Sequence, residues 1–131
     1  MRLTNAGIAR FPAVSPDGKL IAYYRFDVQD RKPKVDVIPS AGGAAVKTLD
    51  FTFDPMPWLR WSPDGRSLIY SATNQGATNL WRLPLDGSSP KQMTDFKSDQ
   101  IWNFHFSRDG KQLAVSLGKV TNDVVLISNS E

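Results

Sequence analysis

Cysteine is absent from this chain of 131 residues, and histidine occurs only once. The lack of cysteine excludes a disulfide framework, a thiolate zinc site and a cysteine nucleophile. Long apolar runs are missing too, so we expect no membrane insertion, and residues 1–7 lack the apolar stretch of a secretory signal. These absences do not decide between a periplasmic and a cytoplasmic location.

An excess of charge of one sign is also lacking. Sixteen basic and thirteen acidic residues leave a net charge of +3, and no run of lysine or arginine exceeds two residues. Proteins that bind nucleic acids usually carry a basic patch or stripe on one face. We therefore expect no nucleic-acid partner.

The motifs of common catalytic and cofactor sites are missing as well. There is no Gly-x-Ser-x-Gly elbow for a nucleophile and no Gly-x-x-x-x-Gly-Lys loop for a phosphate. His105 stands between two phenylalanines in a predicted strand, where a structural role is the simpler interpretation. Asp27, Asp30 and Asp36 flank an irregular loop together with basic residues, and the mixed charges indicate a solvated loop rather than a cation site. We predict no enzyme activity, no metal and no cofactor.

What the chain does contain is a motif repeated three times. Residues 15–18 and 62–65 read Ser-Pro-Asp-Gly, and residues 107–110 read Ser-Arg-Asp-Gly. The copies are offset by 47 residues (62 minus 15) and by 45 residues (107 minus 62). A period near 45 residues is typical of a four-stranded propeller blade or of a helical repeat. Runs of β-branched, aromatic and aliphatic residues on both sides of each motif favour strands.

Each motif predicts a turn between two antiparallel strands. Aspartate bonds nearby backbone amides, and glycine supplies the positive φ that matches the turn to the strand twist. The predicted structural turn residues are Asp17, Gly18, Asp64, Gly65, Asp109 and Gly110.

Four strands, a to d, are predicted for each repeat. Strand a covers residues 11–15, 58–62 and 103–107; strand b covers 20–26, 67–73 and 112–117; strand c covers 34–39, 79–85 and 123–129; strand d covers 45–51 and 91–96. Residues 2–5 form a further strand d before the first repeat. The predicted order d-abcd-abcd-abc divides the chain into residues 1–6, completing another blade, and blades at 7–51, 52–96 and 97–131.

The repeats resemble the PD40 repeats of TolB-like β-propellers, a WD40-like family. The motif copies carry this resemblance, with a departure at Arg108, and residues 79–83 are similar to the family's third strand. Residues 120–129 resemble the end of propellers attached to bacterial serine/threonine kinases and winged-helix regulators. The resemblance covers nearly the whole chain and implies an all-β fold of three four-stranded blades, half of a six-bladed ring.

This resemblance implies a non-catalytic scaffold that binds a protein or peptide. The alternative is a part of the propeller of a larger kinase, transcription regulator or prolyl-oligopeptidase-type peptidase, which acts as a sensor or substrate gate. Side chains at the loop-to-strand-a junctions and on strand a are expected to line the channel or its mouth. The predicted binding residues are Arg10, Trp58, Arg60, Asn103 and His105. Trp61 is predicted to pack between blades.

The strand order also predicts a homodimer. The N-terminal strand d lacks a blade, and the third blade lacks a strand d, so two copies related by a twofold axis would complete each other by velcro-type strand exchange. Both end blades are then expected to present faces built to pack on a neighbour. The residues predicted to be interior there are Phe11, Val14, Tyr23, Phe104, Phe106, Val115 and Leu126.

Overall fold

The computed structural model describes Leu3, residues 9–50 and residues 58–119, and these residues form ten β-strands without a helix. The all-β prediction is confirmed. It follows that the described segments contain no helix capable of crossing a membrane. The strands are β1 (Ala9–Val14), β2 (Leu20–Asp27), β3 (Lys32–Pro39), β4 (Lys47–Asp50), β5 (Leu59–Trp61), β6 (Ser67–Asn74), β7 (Ala77–Pro84), β8 (Lys91–Gln92), β9 (Gln100–Phe106) and β10 (Leu113–Gly118).

The strands form successive antiparallel meanders, which we call blades 1, 2 and 3. Blade 1 has the order β1-β2-β3-β4, blade 2 the order β5-β6-β7-β8, and blade 3 is described as the pair β9-β10. The strands predicted at residues 123–129 and, apart from Leu3, at residues 2–5 lie outside the described residues. The fourth strands β4 and β8 are shorter than predicted, with four and two residues.

Each repeated motif closes the turn between the first two strands of its blade. In blade 1 the Ser15 hydroxyl donates to Asp17 Oδ1 over 2.6 Å and accepts from the amide of Leu20 over 3.0 Å. Asp17 Oδ1 also accepts from the amide of Lys19, and the amide of Gly18 donates to the carbonyl of Ser15. The same bonds recur in the other two blades.

The three motif glycines have positive φ, as the sequence predicts. The angles are 74° at Gly18, 69° at Gly65 and 72° at Gly110. L-residues with a Cβ rarely adopt this left-handed region, so glycine relieves strain that another side chain would suffer. The serine–aspartate pair and the glycine therefore fix the connection of the first two strands in every blade.

Blade 2 is buried on both faces, and this places the hydrophobic core. Residues 67–72 of β6 are all buried, since alternate side chains point to opposite faces of the sheet. Leu68 and Tyr70 pack in one cluster with Val35 and Val37 of blade 1. Ile69 packs in a second cluster with residues of blade 3, which include Ile101, Phe104, Phe106 and Val115. The core is thus a stack of sheets packed face to face.

One carboxylate has a different environment from the one predicted. Asp36 lies on β3, within the strand predicted at residues 34–39, but it is buried, with 6% of its surface exposed, where mixed charges had indicated a solvated environment. Its carboxylate accepts hydrogen bonds from Arg25 Nε over 2.6 Å, Thr48 Oγ1 over 2.8 Å and Tyr23 OH over 3.2 Å. The acidic and basic residues of this hairpin therefore pair with one another across strands, because a buried carboxylate must be compensated.

Candidate binding site

The first strands of the three blades lie side by side. Trp61 on β5 donates its indole Nε1 hydrogen to the carbonyl of Ala13 on β1 over 2.8 Å. On the other side of β5, Arg60 reaches Asn103 and His105 on β9. Trp61 is 6% exposed and belongs to the cluster between blades 1 and 2, which confirms its predicted packing.

Arg60 joins two blades through an amide and an imidazole. Its terminal nitrogen Nη2 lies 3.0 Å from Asn103 Oδ1 and 3.0 Å from His105 Nε2. The guanidinium carbon lies 5.5 Å from the centre of the Phe104 ring, within the range of a cation–π contact. Asn103 is itself fixed, because its Oδ1 also accepts from the amide of Phe104 over 2.8 Å.

Clefts flank this arginine. One of about 160 Å³ is lined by Phe11, Pro12, Trp58, Leu59 and Arg60. A second, of about 400 Å³, combines Arg60 and Trp61 with residues of β1 and with Phe106. A third, of about 290 Å³, contains Asn103, His105, Ala114 and Ser116. Large apolar side chains and a charged group thus border the same surface.

Irregular backbone shapes two edges of this surface. Pairing of β1 with β2 shifts between Arg10 and Ala13, and Phe11 in that interval has a φ of 53°. A bulge lets a strand bend and turns a side chain in a new direction, and bulges are enriched next to binding sites. A positive φ at an aromatic residue is strained and persists where the surroundings enforce it.

Pairing of β9 with β10 shifts as well, between Ser116 and Leu117. Trp102 in this part of β9 is half exposed, and its indole covers Gly118, where an added Cβ would lie 2.2 Å from the indole nitrogen. Any larger residue at position 118 would displace the indole.

The structure brings together four of the five predicted binding residues. Arg60, Asn103 and His105 share hydrogen bonds, and Trp58 borders a cleft with Arg60. Arg10 lies exposed on β1 opposite Tyr24, and no described contact connects it to the other four. We call Phe11, Trp58, Arg60, Asn103 and His105 the inner-strand site. Their position at the mouth of a channel stays a prediction.

The predicted turn residues lie apart from this site. The pKa of each turn aspartate is lowered, first by the hydrogen bond from its serine hydroxyl and next by a backbone amide, because both stabilise the carboxylate. These carboxylates are engaged within their own turns. Among residues 9–50 and 58–119, no group of three histidine, cysteine, aspartate or glutamate side chains is placed to hold a metal ion.

A polar cluster on strands β2 and β3 of blade 1 was not predicted from the sequence. Arg25 bridges Asp36 and Asp27, and the guanidinium hydrogen bond is the main cause that lowers the pKa of Asp27 to about 2. Burial, followed by the nearby Asp36 carboxylate, raises the pKa of Tyr23. Period-2 alternation would have placed Tyr23 and Arg25 on one face, but the pairing with Asp36 depends on the register of β2 and β3.

The sequence relatives of the chain are named as peptidases. The chain is 31% identical over 116 residues to a dipeptidyl-peptidase 5 from Porphyromonas endodontalis, a match covering 86% of this chain and 16% of that protein. It is 29% identical over 115 residues to dipeptidyl-peptidase 5 of Arthroderma benhamiae, over 84% of this chain and 16% of the relative. The chain thus spans about a sixth of the length of these relatives. No protein-family model matches it.

Solved structures of propellers superpose on the chain. A putative TolB from Agrobacterium tumefaciens is 21% identical, with a TM-score of 0.62 over 94% of this chain and 50% of that one. TolB from Acinetobacter baumannii is 23% identical, with a TM-score of 0.60 over 88% and 27%. The propeller domain of the Trilobed protease from Pyrococcus furiosus is 22% identical, with a TM-score of 0.56 over 86% and 35%. The chain therefore has the fold of TolB-like β-propeller blades.

Proposed function

We propose that these blades form a non-catalytic scaffold that binds a protein or peptide segment through the inner-strand site. The observation that supports this most directly is Arg60, held between two blades beside the exposed Trp58. Tryptophan and arginine are the residues that most often dominate binding energy at protein interfaces. A rigid sheet scaffold under exposed loops also suits recognition.

A capture experiment tests the location of this binding surface. The chain is immobilised and exposed to an extract of its native source, and retained proteins are compared between the wild type, Trp58→Ala and Arg108→Gln. Arg108 lies exposed in a motif turn and serves as the control. We expect one partner that wild type and control retain and that Trp58→Ala loses. A partner retained equally by all three chains would contradict the proposed surface.

The proposal includes the absence of catalysis by this chain. His105 Nε2 is hydrogen-bonded to a guanidinium, and no described hydroxyl or carboxylate contacts that ring as a nucleophile–base pair would require. Hydrolase, kinase and lyase assays should give only background rates. A turnover that disappears in His105→Ala would overturn this part of the proposal.

The relatives support a second candidate function, as part of a peptidase propeller. Dipeptidyl-peptidase 5 proteins match over most of this chain but over only 16% of their own length. In such a protein the blades would act as a substrate gate or sensor beside a separate catalytic domain. An antibody against the chain distinguishes the candidates: a native product much larger than 14.6 kDa favours the peptidase, and one of 14.6 kDa contradicts it.

We also propose that a second copy of the chain completes the ring. Val14 on β1 is 60% exposed, although the corresponding residue of blade 2, Trp61, is buried. On blade 3, Ala114 and Ser116 of β10 are exposed, whereas the corresponding stretch of β6 is buried. No further sheet of the described residues covers either outer face, and a blade normally needs a neighbour on each side.

The deletion of residues 1–6 tests the strand exchange that would connect the copies. If this segment completes a blade of the partner, the shortened chain should be monomeric in size-exclusion chromatography, while the full chain is dimeric. A double alanine substitution at the exposed Lys19 and Arg108 controls for unspecific charge effects. A shortened chain that stays dimeric would contradict strand exchange.

A further inference from the structure

In the cluster of Arg60, Asn103 and His105, the side-chain acceptors are occupied and only hydrogen-bond donors remain without a partner. Nη2 of Arg60 faces Asn103 Oδ1 and His105 Nε2, so both acceptors are occupied by the guanidinium. A guanidinium has no acceptor, so His105 Nε2 must accept, and the imidazole hydrogen is on Nδ1. Asn103 Oδ1 receives a second hydrogen bond, from the amide of Phe104.

Three donor groups of this cluster have no acceptor among the described residues. They are Nη1 of Arg60, Nδ2 of Asn103 and the Nδ1–H of His105. Nε of Arg60 is also without an acceptor and is shielded from solvent. A cluster that offers hydrogen atoms and no lone pairs is complementary to a ligand rich in acceptors.

The charge of the cluster is not neutralised either. None of the described carboxylates forms an ion pair with Arg60. Its bonded neighbours are a neutral amide, a neutral imidazole and an aromatic ring. These contacts hold the guanidinium in place before any ligand arrives, which lowers the entropic cost of binding.

We propose that the inner-strand site binds a peptide carboxylate at Arg60, with the adjoining apolar side chain in the cleft of Phe11, Trp58 and Leu59. One uncompensated positive charge matches a carboxylate, which carries one negative charge, better than a phosphate dianion. Arginine recognises carboxylates through strong charge-assisted hydrogen bonds. The cleft of about 160 Å³ directly beside Arg60 has room for an apolar side chain.

This inference rests on the proposed binding function and names its ligand chemistry. The carboxylate has two sources in a peptide, the C-terminus and an acidic side chain. The probes that separate them are N-acetyl-glycyl-phenylalanine as free acid, the same dipeptide as amide, and the N-acetyl amides of Glu-Phe and Gln-Phe. Inorganic phosphate is added as a competitor.

Two variants and a control test the role of the charge. Asn103→Asp keeps an oxygen that accepts from Arg60 and from the amide of Phe104. Its negative charge pairs with the guanidinium, which is then no longer available to a ligand carboxylate. Arg60→Gln removes the charge, and Arg108→Gln removes an equal charge from an exposed turn. Asn103→Asp should fold as well as the wild type, so it remains informative even if Arg60→Gln unfolds. Thermal melting confirms the fold of each.

Binding is measured by NMR titration of the full chain, with the indole signal of Trp58 as the reporter. We expect a carboxylate probe to bind about tenfold more tightly than its amide. That preference should disappear in Asn103→Asp and Arg60→Gln and persist in Arg108→Gln. The two free-carboxylate probes, Gly-Phe acid and Glu-Phe amide, show which source is used.

The outcomes separate the two proposals. If acid and amide probes bind equally, or if Asn103→Asp retains the preference, the carboxylate inference is overturned while peptide binding at this site stands. If phosphate displaces the probes at lower concentration than carboxylates do, a phosphate is the ligand and the inference is wrong. If no probe shifts the Trp58 signal, both the inference and the proposed function fail.

Discussion

At the scale of single residues, Arg60 and Trp61 are neighbours in the chain with opposite roles. Successive side chains of a strand point to opposite sides, so Trp61 packs on blade 1 and Arg60 reaches blade 3. Trp61 is buried and donates a hydrogen bond to the neighbouring blade, whereas Arg60 retains unused donors. We therefore assign stability to the first and binding to the second.

Substitution of Trp61 by phenylalanine should destabilise the fold. The change removes ring volume from a buried position and leaves the carbonyl of Ala13 without its donor, which together cost about 1–3 kcal/mol in the free energy of unfolding. Trp58→Phe is the matched control, because Trp58 is 40% exposed, and it should cost less than about 0.5 kcal/mol. Urea unfolding measures both. Equal losses would contradict the assignment.

Alkaline pH should destabilise the fold through Tyr70. Burial raises the pKa of this hydroxyl to about 12. An unfolded tyrosine loses its proton near pH 10, so between about pH 10 and 12 the unfolded state binds fewer protons and the free energy of unfolding falls, by up to about 2–3 kcal/mol. Below pH 10 the residue has no such effect. The stability of Tyr70→Phe, measured by urea unfolding from pH 8 to 11.5, should decline less steeply; identical slopes would contradict this.

At the scale of elements, the repeated turns of successive blades pack on each other. A Cβ built on Gly110 would lie 2.7 Å from Pro63 Cβ, and one built on Gly65 would lie 3.8 Å from Pro16 Cδ. Gly18 has nothing within 4 Å. The proline of one turn thus approaches the glycine of the next blade, so the motif fixes both the hairpin and the contact between blades.

Alanine substitutions of these glycines should differ in cost. All three positions have positive φ, so each change should destabilise by about 1 kcal/mol from backbone strain. Gly110→Ala should cost about 1–2 kcal/mol more than Gly18→Ala, because its methyl group clashes with Pro63. Valine should cost about 1–3 kcal/mol at Gly18 and Gly65, and at Gly110 at least as much as alanine does. Thermal unfolding of Gly18→Ala and Gly110→Ala tests this, and equal shifts would show that the turns do not pack.

The elements also show what the sequence could predict. The turns were predictable because all their hydrogen bonds lie within six residues, namely the Ser-x-Asp-Gly motif and the two residues that follow it. The early end of strand β8 was not, because beyond Met93, whose amide still donates to the carbonyl of Leu80, side-chain hydrogen bonds replace the backbone ladder. Asn79 of β7 bonds the backbone of Phe96 and the hydroxyl of Thr94. Local propensity contains no information about such a tertiary contact.

The candidate site was predictable in part. Arg60 and His105 both stand two residues before a motif serine, so adjacent blades must place them side by side. Their separation of 45 residues follows from the repeat. The buried pairing of Asp36 with Arg25 was missed, since alternating charges are equally typical of a solvated hairpin. The bulge at Phe11 also has no local sequence signal.

At the scale of the whole molecule, blade 2 shows what each blade requires. It is enclosed by neighbours on both faces, and its strand β6 is buried from Ser67 to Ala72. The outer faces of blades 1 and 3 retain exposed apolar and small side chains, among them Val14 and Ala114. Completion of a six-bladed ring by a second copy would cover both faces and surround the inner-strand sites of both chains.

Sedimentation equilibrium of the full chain at micromolar concentration tests the completed ring most directly. Ring completion by a second copy predicts a single species of about 29 kDa, twice the chain mass of 14.6 kDa. An isologous closed dimer should show no larger assemblies as the concentration rises. A well-folded species of 14.6 kDa across the micromolar range would contradict ring completion by a second copy.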